Sequence, residues 1–199
     1  MKLSVSQLAS ERGGRPVFEE ISFDIGDGQL LTITGPNGAG KSTLLRIVAG
    51  FLPATDGEIR VDPAPDAPRG TLMHYLGHRD GLKSAMSVRE NIDFWRATAG
   101  SSGLSPIEAL DRVRLGHLID LPAAYLSAGQ KRRVAIARLV AVHRPIWLLD
   151  EPTAALDSQS EQELGGIIQE HIGEGGMVLA ATHLKLPIEA TSNLALGAR

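Results

Sequence analysis

A chain of 199 residues is long enough for one domain with a sizeable buried core. Its 20 Lys and Arg against 23 Asp and Glu leave a formal charge of -3, which argues against a basic nucleic-acid footprint. The absence of cysteine removes disulfides, thiolate metal sites and C-x-x-C-H haem attachment together.

Taken in order, Leu3-Ser4-Val5 and Ile21 to Ile25 alternate with period two and predict an N-terminal antiparallel β layer. After the turn residues Gly26-Asp27-Gly28, Gln29 to Thr34 reads as a buried strand, and Thr43 to Ala49 as a helix ending at Gly50. Glu58 to Asp62 alternates again before Pro63, Pro65 and Pro68 forbid regular structure, and Leu72 to Leu76 predicts a further strand. From Ser87 the pattern is helical. Ser87-Val88-Arg89-Glu90 and Ser105-Pro106-Ile107-Glu108 have the form of capping boxes, separated by Gly100-Ser101-Ser102-Gly103. A third box, Ser127-Ala128-Gly129-Gln130, opens a helix through about Val142 with Val134, Ala137 and Ala141 on one face. Ile146 to Leu149 is a continuous apolar run, as for a parallel strand covered on both faces. Asp157 or Ser158 caps a helix to Gly173, Met177 to Ala181 is another buried strand, and an edge strand is expected around Leu194 to Leu196.

Strands alternating with helices predict an α/β fold with a mostly parallel central sheet. One domain is expected over 1–199, with a core of 1–83 and 126–199 and an inserted helical lobe of 84–125. The longest apolar runs fall short of the roughly 20 residues that span a bilayer, and Met1-Lys2-Leu3-Ser4 opens no signal-peptide segment, so the chain is expected in the cytoplasm.

The stretch Gly35-Pro36-Asn37-Gly38-Ala39-Gly40-Lys41-Ser42 fits G-x-x-x-x-G-K-S/T between a predicted strand and a predicted helix, the context a phosphate-binding loop requires. Glycines let backbone N–H groups close round phosphate oxygens, the start of the helix adds its positive dipole end, and Lys41 adds a charge. Thr43 completes the expected nucleotide contacts. Ser42 offers a hydroxyl to Mg²⁺, and Asp150, at the carboxyl end of the apolar strand, is the second metal candidate. The adjacent Glu151 is the candidate base that deprotonates a water for in-line attack on the γ-phosphorus. Trp147 and Trp95 are expected to pack in the core or the lobe, and the histidines other than His78 and His183 to lie at the surface.

With Leu126-Ser127-Ala128-Gly129-Gln130 before Asp150-Glu151, then Ala154-Ala155-Leu156-Asp157 and His183, the chain resembles the ATP-binding subunits of ABC transporters over nearly its whole length. The resemblance implies a head-to-tail homodimer. Ser127, Gly129 and Gln130 of one copy would close over ATP held by the other copy's Gly35 to Ser42, with Asp157 at the interface and His183 on the γ-phosphate. Integral membrane subunits would be the partners, the chain sitting peripherally on the cytoplasmic face of a bacterial inner membrane, with no nucleic acid bound.

Three departures narrow the resemblance. Ala128 stands where glycine is usual. His78 replaces the glutamine expected where core meets lobe, and could hold a water or a metal-bound oxygen. Glu11-Arg12 stands where an adenine-stacking ring is usual, and Arg12 can stack through its guanidinium plane. These, with Val17-Phe18 and Gly81-Leu82-Lys83, look like the haem-exporter ATPase of bacterial cytochrome c maturation, which implies release of a haem-loaded chaperone and no haem bound directly. The alternatives are another transported cargo, a soluble ABC-type ATPase acting on DNA or ribosomes, and a non-hydrolysing ATP-binding regulator. Missing coiled-coil or basic arms disfavour the second, and Glu151 with His183 disfavours the last.

Overall fold

The computed structural model describes all residues except 65, 67, 101, 198 and 199, so Pro65 of the proline-rich stretch and Ser101 of the Gly-Ser separator lie outside the described residues. The N-terminal layer is antiparallel: β1 (Lys2–Arg12) lies between β2 (Arg15–Gly26) and β4 (Asp56–Asp62). β1 and β2 run further than their alternation indicates. Gln7 and Glu20 take positive φ of 50° and 56°, and the register slips between Val5 and Leu8, so the period-two pattern breaks in mid-strand.

The central sheet has five strands in the order β5 (Met73–Leu76), β6 (Ile146–Asp150), β7 (Met177–Ala181), β3 (Leu30–Thr34), β8 (Ser192–Ala195), with every pair parallel. The fold is thus the expected α/β arrangement, with the edge strand around Leu194 in place. Leu72, expected to begin β5, instead ends a 3-10 turn over Arg69–Leu72. Strand side chains alternate between two cores, as the pleat demands. Leu31, Ile33, Ile146, Leu148, Met177, Leu179 and Ala181 pack with α1 (Lys41–Val48) and the antiparallel layer. Leu30, Trp147, Leu149, Val178 and Ala180 share the opposite core with side chains of α2 (Val88–Ala99), α3 (Pro106–Asp111), α4 (Ala128–Ala141) and α5 (Ser158–Gly173). Ser87, Ser105 and Ser127 all close their capping boxes, each cap contributing about 1 kcal/mol. Among the described residues no helix is long and apolar enough to cross a membrane.

Two histidines contradict the surface expectation. His74 is buried on β5 and donates from Nε2 to the Val142 carbonyl at 2.7 Å. His171 is buried on α5, stacked on Trp147 with ring centroids 3.8 Å apart. It continues the buried stripe Leu164, Ile167, Ile168 at helical spacing, so the side chain follows its helix face into the core. Loss of hydration on burial pushes His74 down to about 3 and His171 to about 4. Both are therefore neutral in the fold well below the ordinary histidine value. As pH falls below about 6.5, the unfolded chain takes up protons that the folded chain refuses, and stability declines until the folded values are reached. For His171 the loss at pH 5 is about 1–2 kcal/mol. Thermal unfolding at pH 7.5 and pH 5 is expected to give a smaller drop for His171→Phe, which keeps a ring on Trp147, than for the native chain. An equal drop would assign the acid sensitivity elsewhere.

Candidate functional site

The site forms at the carboxyl ends of β3 and β6, where ligands collect in open α/β sheets. The loop from Gly35 to Gly40 joins β3 to α1, and Gly40 stands at the N-cap of α1 with φ 96° and no side-chain cap, leaving the first N–H groups of α1 for an anion. A Cβ on Gly40 would come within 2.7 Å of Val17 and 2.9 Å of Phe18, and one on Gly35 within 2.3 Å of the Leu196 carbonyl. Both positions therefore require glycine, and the β2 residues Val17 and Phe18 back the loop. Lys41 is buried and donates to the carbonyls of Gly35 at 2.7 Å and Pro36 at 3.2 Å, lying along the loop it serves.

Asp150 ends β6 and is buried, but it is not bare. Ser42 Oγ donates to its Oδ1 at 2.9 Å and the Tyr75 hydroxyl to its Oδ2 at 3.1 Å. Ser42 and Asp150, 108 residues apart, thus present hard oxygen atoms side by side, the donor type Mg²⁺ prefers. Mg²⁺ also takes ligands from bound phosphates, and a hydroxyl with one carboxylate beside a phosphate loop fits that habit. Among the described residues no cluster of three or more His, Asp or Glu could hold a metal alone.

Glu151 follows with φ 47°, a left-handed conformation unusual for a non-glycine residue. Its backbone N–H donates to the Ala181 carbonyl at 2.8 Å, and its Oε1 accepts from His183 Nδ1 at 2.9 Å. The candidate base and the candidate switch histidine are therefore in contact.

What holds this turn is Arg132, a buried residue of α4 that the sequence reading passed over. Its Nη2 donates to the carbonyls of Asp150 at 3.1 Å and Glu151 at 2.7 Å, and its Nε to that of Pro152 at 3.2 Å. Nη1 reaches the Gly77 carbonyl at 2.7 Å and Asp80 Oδ1 at 3.3 Å. Burial lowers the guanidinium below its ordinary value, and Asp80 offsets only part of that. Six residues further along α4, Arg138 donates to the Tyr75 carbonyl at 2.9 Å and lies 4.4 Å over the Trp95 ring, the packing role expected of that tryptophan. Trp147 packs in the core against His171.

The other sequence candidates make no hydrogen bond to the phosphate loop among the described residues. Ser127 and Gln130 are reciprocally bonded in their capping box, at 3.2 Å to Ser127 Oγ and 2.8 Å to Gln130 Oε1, and Ser127 and Ala128 are exposed. A Cβ on Gly129 would meet the Ala155 carbonyl at 2.9 Å, so the start of α4 packs on the loop before Asp157. Asp157 caps α5, and the Ser160 amide that bonds its carboxylate at 2.8 Å holds it below the ordinary carboxylate value. The side chains of His78 and Arg12 are exposed and enter no hydrogen bond among the described residues. His78 nonetheless follows Gly77, whose carbonyl Arg132 holds.

Comparison with known proteins places these features in context. Residues 18–154 match the family model described as ABC transporter. Curated relatives include the cytochrome c biogenesis ATP-binding export protein CcmA of Chelativorans sp. (strain BNC1), 50% identical over 100% of this chain and 99% of that one. The protein of the same name from Mesorhizobium japonicum is 50% identical over 95% of each chain. Among solved structures, a putative ABC transporter ATP-binding protein from Pyrococcus furiosus superposes with TM-score 0.86 at 27% identity, over 98% of both chains.

Proposed function

The chain belongs to the ABC transporter family as an ATPase subunit, and on that premise we propose that it powers haem export, or release of a haem-loaded chaperone, in cytochrome c biogenesis. The observation that carries the cargo is full-length 50% identity to a relative whose name is cytochrome c biogenesis ATP-binding export protein. The observation that carries the chemistry is the run of contacts from Ser42 through Asp150 to Glu151 and His183.

Gly35, Asn37, Gly38, Ala39 and Gly40 bind the phosphates of ATP through their backbone N–H groups and Pro36, which has none, shapes the loop, with Lys41 turning from its carbonyl partners to the phosphate oxygens and Thr43 following in α1. Ser42 and Asp150 hold Mg²⁺. When bound, that ion neutralises charge on the transferred phosphoryl group. Glu151 takes a proton from the water that attacks the γ-phosphorus as the bond to ADP breaks. His183 donates to Glu151 and orients it, and is free to turn to the γ-phosphate when ATP arrives.

The exposed start of α4 supports a second copy arranged head to tail. Ser127 Oγ already accepts from the Gln130 amide, so its own proton remains available to an opposing γ-phosphate. Gly129, Gln130 and Asp157 line the same interface, Arg12 stacks on the base, and His78 reports from the junction of the core with the lobe of 84–125. Integral membrane subunits dock on the cytoplasmic side, and haem itself is not bound. Capture of the tagged chain from solubilised membranes is expected to co-purify integral membrane proteins of a haem exporter, with ATPase activity in the complex. Recovery of ribosomal or DNA-bound partners alone would overturn the transport reading.

A further inference from the structure

Tyr75 has no part in the reading above, yet its hydroxyl touches the metal acid. The ring has close neighbours. Phe51 stands against it at a centroid distance of 5.4 Å and 87°, and a Cβ on Gly77 would fall 2.6 Å from Tyr75 Cε1. The hydroxyl is engaged as well. Arg46 Nε, which can only donate, reaches it at 3.2 Å, so the Tyr75 oxygen is the acceptor there. The single phenolic proton is left for Asp150 Oδ2 at 3.1 Å. Ser42 meanwhile occupies Oδ1 at 2.9 Å.

We propose that Tyr75 is a positioning residue for the metal acid: by engaging Oδ2 it fixes the carboxylate rotation and leaves Oδ1, beside Ser42, as the oxygen turned toward the cation. The assignment rests on the reading that Ser42 and Asp150 hold Mg²⁺. Arg46 strengthens the effect, because an N–H donated to the phenol oxygen polarises its O–H toward Asp150. A donor that orients a ligating carboxylate is worth about tenfold or more in metal affinity.

Tyr75→Phe tests this in the whole 199-residue chain, since it keeps the ring beside Phe51 and Gly77 and removes only the hydroxyl. The readouts are Mn²⁺ affinity by electron paramagnetic resonance in the presence of ATP, ATP affinity in EDTA, and the nucleotide-free melting midpoint. The expected result is about tenfold weaker Mn²⁺ binding, with ATP affinity in EDTA unchanged. Unchanged Mn²⁺ affinity in Tyr75→Phe, with or without a lower midpoint, overturns the positioning role while Ser42→Ala still weakens Mn²⁺. If Ser42→Ala also leaves Mn²⁺ affinity intact, it is the metal-site reading that fails, and the role assigned to Tyr75 falls with it.

Discussion

Glu151→Gln is expected to lower ATP turnover by about 10²–10⁴-fold, the span general-base catalysis covers, while leaving ATP binding intact. The substitution removes the proton acceptor and little else. The turn that presents Glu151 is held through its backbone, by the Ala181 carbonyl at 2.8 Å and by Arg132 on its own carbonyl at 2.7 Å, and neither bond uses the side chain. Glutamine also keeps an oxygen for His183, so that contact survives as a neutral hydrogen bond. With chemistry blocked and the phosphate site whole, ATP contacts made across two copies persist, and a nucleotide-bound dimer is expected to accumulate in size-exclusion chromatography. Turnover within tenfold of the native chain would remove Glu151 as the base.

Arg132→Met is expected to have the largest effect on stability, about 3–5 kcal/mol. The guanidinium serves the carbonyls of Gly77, Asp150, Glu151 and Pro152 together with Asp80. Removing the donor takes a partner from each of these acceptors, and although the Glu151 carbonyl keeps the Ala154 N–H at 3.1 Å, each acceptor left bare costs about 1–3 kcal/mol, only partly additive. Methionine fills the aliphatic volume without replacing a single bond. Arg132→Lys keeps the charge but not the planar fork, and is expected to lose roughly half as much. Denaturant titration with ATPase rates on the same samples checks both. A loss under about 1 kcal/mol in Arg132→Met would mean that water reaches those carbonyls.

The parts of this molecule that were legible in the sequence are those with a local cause. The glycine loop, the capping serines and the buried parallel strands each announce themselves within a few residues, and apart from the start of β5 they stand where expected. The antiparallel strands were only half visible, because the turns of Gln7 and Glu20 to positive φ interrupt the alternation. His171 could have been found, since it continues an apolar helical stripe. His74 could not, because a four-residue strand gives too little pattern to decide which side chains go inward. Tyr75 and Arg132 owe their roles to partners 75 and 55 residues away, Asp150 and Gly77, and nothing in their neighbourhoods distinguishes them from ordinary strand and helix side chains.

The central sheet acts as a bulkhead. The phosphate loop and α1 are built into one compartment and α4 with the capping serine into the other, and strands packed on both faces leave no passage through the wall. The two compartments are joined at its carboxyl rim, where Arg132 ties Gly77 and Asp80 to Asp150, Glu151 and Pro152, and His183 bonds Glu151. The start of α4 and the peptides that carry Asp150 and Glu151 are therefore tied directly to one another, without an intervening layer of packed side chains.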